Sequence, residues 1–304
     1  MTTPAGTPAT AGAVPVAPGP PNAGVPKPKV WAPRFLRARN MQLWIGIVII
    51  GAIVAAAIAA PLLTQFQPGD QDLANPLAGP GGAHLLGTDN LGRDIWSRLL
   101  YGARTDLTVT FVAVLTPFVV GALLGALCGY FGGWFDTLVM RLADVVVAFP
   151  FYVLVIALVF ALGSGTTSIY IAISVVSWVA YARIVRAEAM VLRRREFIDA
   201  CRSSGLSHTR VIARHVLPNV VTQAIVYSMS DIVMNVSVIV TLSFFGLGIV
   251  PPTPDWGQMM SDGQQFLASG NYMLTAIPGL AVVITSMGLS FLGDGLANLL
   301  RVQR

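Results

Sequence analysis

The chain is poor in charge. Only 11% of its 304 residues are Asp, Glu, Lys or Arg, where a soluble domain carries roughly a quarter. That is too little to solvate a globular surface of this size. With a mean hydropathy of +0.70, an integral membrane protein is the default reading. Lysine is absent after Lys29. A P-loop is a glycine-rich stretch that ends in Lys, so this chain has none, and any ATP it depends on is hydrolysed elsewhere. Gly-x-Ser-x-Gly is missing, and no serine, cysteine or histidine stands in a nucleophilic arrangement. A membrane-bound enzyme is thereby left without a catalytic constellation. Cysteine and histidine are scarce: Cys128 in an apolar run, Cys201 in a polar interval, and His84, His208 and His215 scattered. Without a CxxC or Cys/His cluster no metal site is expected. The two cysteines are expected on opposite sides of the membrane layout, which argues against a disulfide. The 19 basic residues form no broad surface for nucleic acid. No repeat of fixed period is visible, so an inverted-repeat carrier gains no support.

What is present falls into a tail and six apolar runs. Residues 1–30 are almost all Ala, Pro, Gly, Thr and Val. Prolines prevent a helix and the small side chains have little apolar bulk to bury. We read residues 1–40 as a disordered tail and 41–304 as the membrane domain. No apolar core precedes a cleavage site, so the tail is not a signal peptide. Runs of ~20 apolar residues suit a bilayer, and they occur at about 42–63, 107–131, 138–162, 168–190, 220–247 and 272–293. The arginines set the orientation. They concentrate before the first run, at the end (Arg301, Arg304), and between the fourth and fifth runs, where eight lie from Arg183 to Arg214; residues 163–167 and 248–271 have none. Both termini and the 191–219 interval are expected in the cytoplasm.

Several residues inside the runs stand out. Gly121, Gly125 and Gly129 recur every four residues and present one face for close helix approach, expected to pack within this chain. Asp144 is expected to pair with Arg141, one turn earlier. Ser228, Asp231 and Asn235 form a polar stripe on the fifth run. Intramembrane polar groups face protein or water, so this stripe either lines a translocation path or bonds a neighbouring helix.

The polar interval Asp199–Pro218, DACRSSGLSHTRVIARHVLP, reads as two short amphipathic helices broken at Gly205. Val211, Ile212 and Val216 make one apolar face. The interval resembles the coupling (EAA) loop of ABC importer permeases, whose pattern is Glu-Ala-Ala, three residues, Gly, nine residues and Ile-x-Leu-Pro. Asp199, Ala200 and Cys201 stand for the triplet and Gly205 is in register. His215, Val216, Leu217 and Pro218 follow, with His215 replacing the aliphatic residue. A second stretch, His84–Leu107, contains GTDNLGRDIWSRLLYGAR and resembles the C-type permease subunit of dipeptide and oligopeptide importers; so does SFFGLGIVPPTPDWGQMMSDG, Ser243–Gly263. One departure is Ile239, where many relatives carry an acidic residue.

The resemblance implies an all-α membrane protein of six transmembrane helices, with a coupling segment at 196–218 between helices 4 and 5. It would be a permease subunit in a bacterial cell membrane. Its partners would be a second, homologous permease, two ATP-binding subunits or one fused double ATPase, and an extracytoplasmic binding protein. This chain would hold no cofactor, ATP and Mg being bound by those partners. Asp199, Ala200, Cys201, Gly205, His215, Leu217 and Pro218 would couple to the ATPase. Asp89, Arg93, Asp94, Asp255 and Asp262 would be candidates for docking the binding protein. For Gly87–Asp94 the residues also allow a turn with a helix N-cap, leading Ile95 and Leu99 into apolar surroundings. The alternative function is a self-contained channel or proton-coupled carrier, disfavoured by sparse intramembrane charge.

Overall fold

A computed structural model describes the backbone of residues 33–302 and the side chains of residues 41–300. The tail expected over 1–40 lies outside the described residues up to residue 32. Helix α1 (Pro33–Ile58) already runs through the remainder, and a single turn, α2 (Ala60–Leu63), follows it.

An irregular segment then leads to α3 (Ile95–Phe131), which starts well before the expected residue 107. Asp94 caps it, its Oδ2 accepting the Ser97 N–H at 2.7 Å, which satisfies one of the orphan donors of a helix start. Gly132 and Gly133, both at positive φ, end α3 and launch α4 (Gly133–Val147). Pro150 precedes α5 (Phe151–Leu162), and the pair α4–α5 is bent by 88°. The third apolar run is therefore a broken element, not one straight span. The chain has five helices long and apolar enough to cross a membrane, or six if this bent pair is one span.

Helix α6 (Thr166–Leu192) packs along α3 in the most extensive helix pairing of the fold. The reason is the expected glycine stripe. A Cβ on Gly121, Gly125 or Gly129 would lie 2.5 Å from the carbonyl oxygens of Trp178, Ala182 and Arg186 respectively. The stripe thus serves packing within the chain. Next come α7 (Glu196–Ser203), α8 (His208–Val211) and, after a π-helical turn at Ile212–Val216, α9 (Leu217–Phe244). Helix α10 (Trp256–Gln264) is short and α11 (Met273–Val302) returns along α1. No strand occurs among the described residues.

Three apolar cores hold these elements. One joins α3, α5, α6 and α9 through residues such as Val109, Val155, Ile173 and Ile239. The second joins α3, α6 and the α7–α9 region through Tyr130, Val185, Ile198, Val211 and Val216. The third sets Trp256 and Met259 of α10 against α1, α3 and α11. Outside them, large apolar side chains stay uncovered, among them Trp134, Leu142, Phe160 and Val283. Such a surface is stable only against lipid or other membrane helices.

Candidate functional site

The polar interval folds as a helix, a sharp turn and a second helix that does not end. Helix α7 closes with paired backbone bonds: Leu206 N–H to Cys201 C=O at 3.2 Å and Gly205 N–H to Arg202 C=O at 3.0 Å. This is a Schellman arrangement, which needs a left-handed residue just past the helix end. Gly205 fills it at φ +80°, with open space where a Cβ would stand. The glycine is required by backbone conformation, not by crowding.

After the turn, Ser207 caps α8 by accepting the Arg210 N–H. The π turn then carries the chain into α9 with no loop, and Pro218, which has no N–H to give the preceding turn, sits where the π turn meets α9. The Asn219 side chain donates to the His215 carbonyl at 2.6 Å. The second half of the segment is thus the start of a membrane helix.

Burial divides the segment into two faces. Ile198, Val211 and Val216 are fully buried against Val185, Ala189 and Tyr130, with Cys201, Leu206 and Leu217 packed beside them. His215 is half-buried and its ring meets Phe197 edge-on. Asp199, Ala200, Gly205 and Pro218 are exposed, as are Arg202 and Arg210. Polar tethers supplement the apolar plug. The Tyr130 hydroxyl and His208 Nδ1 share a hydrogen bond of 2.9 Å, and Arg193 Nη1 donates to the Tyr130 carbonyl at 3.0 Å. Nearby, Arg186 grips Asp136 through two guanidinium nitrogens, Nε and Nη2. Tyr130, Arg193 and Ile198 were not singled out in the sequence; Ile198, the apolar interruption of a charged stretch, was the available signal. Tyr130 at the end of α3 also puts Cys128 at the same end of the bundle as Cys201, contrary to expectation. Both cysteines are free.

The stripe on α9 is buried throughout, but its members differ. Ser228 donates to the Ile225 carbonyl at 2.8 Å, and Asn235 Nδ2 donates to the Asp231 carbonyl at 2.9 Å. Both spend their donors on their own helix. Asp231 Oδ2 instead accepts the Tyr181 hydroxyl of α6 at 2.8 Å, and Asp231 also lines a cleft of about 530 Å³ between α6, α9 and the α4–α5 elbow. Each reading of the stripe thus has an observation behind it at that residue. Asp144 pairs more closely with Arg183, at 2.8 Å, than with the expected Arg141, at 3.7 Å.

At the α10 end the expected docking residues are turned inward. Asp89, Arg93, Asp94 and Asp255 are all buried. Asp89 accepts from Arg93 Nε at 2.6 Å and from Arg98 Nη1, and Arg93 Nη2 reaches Asp262 at 3.0 Å. The network joins the 64–94 segment to α10. Asp94, besides capping α3, lies 2.9 Å from His84 Nδ1. Asp255 caps α10 by accepting the Gln258 N–H at 3.0 Å, and Trp256 N–H donates to Asp106 at 3.0 Å. Burial pushes the Asp255 carboxyl up from the ordinary carboxylate range, against the pull of the Gln258 N–H. Arg98 and Asp106 complete this assembly and were not among the expected site residues.

Residues 121–301 match the family model described as binding-protein-dependent transport system inner membrane component, and residues 34–80 match that of the N-terminal TM domain of oligopeptide transport permease C. The chain belongs to the binding-protein-dependent transport inner membrane components. A dipeptide transport system permease protein of Alkalihalophilus pseudofirmus is 37% identical over 271 residues, 89% of each chain. A glutathione transport system permease protein of Pectobacterium atrosepticum is 36% identical over 270 residues, 88% of each. A solved structure, the inward-facing MetNI methionine ABC transporter, matches with a TM-score of 0.53 at 18% identity over 68% of this chain and 96% of that one. That likeness bears on the fold. As an ABC permease component, the chain is a multi-pass membrane subunit, and the family's permease component carries no ATPase site of its own.

Proposed function

We propose that this permease, with a second and similar one, forms the path by which small peptides or peptide-like solutes enter the cell. ATP is hydrolysed on separate subunits that dock at 196–218, and an extracytoplasmic protein delivers the cargo. The peptide assignment rests on the relatives named for dipeptide and glutathione transport. Both termini and α7 face the cytoplasm in this reading, supported by the arginines gathered there.

One observation carries the docking assignment: α7 presents exposed Asp199 and Ala200 on a base that is fully buried at Ile198, Val211 and Val216. A short helix held this way is pushed as a body, not bent. Since α8 continues into α9, displacement of α7 reaches the Asp231 level without a flexible joint. Contacts to α3 and α6 through Tyr130, Ala189 and Val185 make those helices part of the same lever. ATP binding then works through differential contacts in inward-open and outward-open states. On the opposite side the buried charges fix the shape of the surface offered to the binding protein, and Asp262, the most exposed of the expected set, is the residue left to meet it directly.

The test is assembly and transport of the whole complex. Gly205→Val is expected to lower both co-purification of the ATP-binding subunits and ATP-driven uptake. Full uptake by this variant refutes the docking assignment.

A further inference from the structure

The cleft beside Asp231 holds more polar chemistry than the α9 stripe explains. Arg183 lines it from α6 and Asp231 from α9, with Phe149, Phe151, Tyr227 and Met234 among the walls. Ser177 lines it too. It is 5% exposed, and its Oγ has no hydrogen-bond partner among the described residues. A buried hydroxyl without a partner is unfavourable unless a visiting polar group engages it.

The charges around the cleft are not balanced. Behind Arg183 and outside the lining, Asp144 lies between two guanidiniums, Arg183 and Arg141. One carboxylate against two cations leaves positive charge in excess. Arg183 is the one of the two that lines the cleft; its side chain is 44% exposed, and a guanidinium offers five N–H donors. On the α9 side Asp231 receives the Tyr181 hydroxyl, and no cationic side chain pairs with it among the described residues. A simple anion or cation matches one wall and is repelled by the other. A molecule with both charges on a short backbone matches both.

Resting on the peptide-import reading, we propose that this cleft is a transit site for the two charged ends of a peptide, its α-ammonium taken by Asp231 and its α-carboxylate by Arg183. Arg183 meets the carboxylate as it loosens from Asp144, which Arg141 continues to neutralise. The Ser177 hydroxyl bonds the peptide backbone between the two ends, and the aromatic walls exclude water without selecting a side chain. The site thereby reads what peptides share and leaves their differences to the delivering protein.

The test uses the complete complex in proteoliposomes, with the binding protein added and dialanine or glutathione as probe, and reads uptake per ATP hydrolysed. Asp231→Asn keeps the size and the acceptor for Tyr181. Arg183→Gln removes the charge. Each is expected to lower the ratio about tenfold, the scale of one charge-assisted hydrogen bond lost. Arg183→Lys, which keeps the charge, is expected to restore most of it, and Ser177→Ala to cost about threefold, less than a charge-assisted bond. An unchanged ratio in both charge-removing variants overturns the proposal. So does mass spectrometry showing phosphatidylethanolamine held by the unaltered complex and lost from both variants at an unchanged ratio, because the cleft is then a lipid site. If the unaltered complex imports neither probe, the peptide-import reading itself fails and this inference falls with it.

Discussion

The two ends of this permease use charge in opposite ways. At the α10 end Asp89, Arg93 and Arg98 are buried and paired with one another, and Asp255 is buried with one carboxylate oxygen on a backbone N–H. At the α7 end Asp199, Arg202 and Arg210 are exposed on an apolar base. The residue types are alike, and what differs is whether the chain folds back over them. The 64–94 segment lies across the start of α3 and closes over its charges. The 196–210 segment is fastened by its apolar side and the Tyr130–His208 hydrogen bond, which leaves Asp199, Arg202 and Arg210 exposed. Charge at the first end therefore sets shape, and charge at the second remains free to meet a partner.

The contrast can be broken most forcefully at Asp89. Asp89→Ala strips Arg93 and Arg98 of their shared acceptor and leaves buried cations underpaired, at a cost of about 3–5 kcal/mol. A large fall in the unfolding temperature of detergent-solubilised protein is expected, whereas Asp199→Ala, at the exposed end, should leave it nearly unchanged. Similar losses at both positions would erase the distinction. Ile198→Ala empties the apolar base under α7 and is expected to cost about 2–4 kcal/mol, read by the same unfolding measurement and by proteolysis of the 196–210 segment. Gly205→Val forces a β-branched residue to φ +80°, costing about 1–2 kcal/mol; hydrogen exchange should quicken in α7 while the α3–α6 pairing stays protected. Tyr130→Phe removes the hydroxyl bonded to His208 and should cost about 1 kcal/mol, seen as a small local loosening of α8.

The smallest effect concerns pH. Burial raises the Asp255 carboxyl in the folded protein, so the folded state holds its proton more tightly than the unfolded state does. The stability this contributes is complete below the ordinary carboxylate range and is lost as pH rises through the raised value. Asp255→Asn keeps the cap and removes the titration. The unaltered protein should lose more unfolding temperature than the variant between about pH 4 and pH 8, a span that begins near the ordinary carboxylate value. Parallel pH profiles would contradict this.

Much of the helical layout was legible because bilayer thickness imposes a run length, and because glycine at every fourth position has one geometric use. The turn at Gly205 was legible because few other residues take that backbone conformation. The sequence did not reveal the 88° break at Pro150, which a hydropathy run passes over, or the start of α3 at residue 95, which lies in a polar stretch. For the charges of Gly87–Asp94 it left two readings, a docking surface and a capped turn, without showing that Asp89 and Arg93 are buried. Asp94 was readable as a cap from its place before Ile95, but Asp89 meets Asp262 through Arg93 and Arg98 across more than half of the chain. No local pattern encodes such a contact. Arg183 was counted only for orientation, since its place in the cleft depends on how the elbow packs.

The central claim is that the exposed face of α7 is where ATP-derived force enters. It is tested most directly by cysteine cross-linking in the assembled complex, in a background with Cys201→Ala. A cysteine at position 200 is predicted to cross-link to the ATP-binding subunit, and one at position 198, on the buried face, is predicted not to. Absence of a cross-link from position 200 together with one from position 198 would contradict the account.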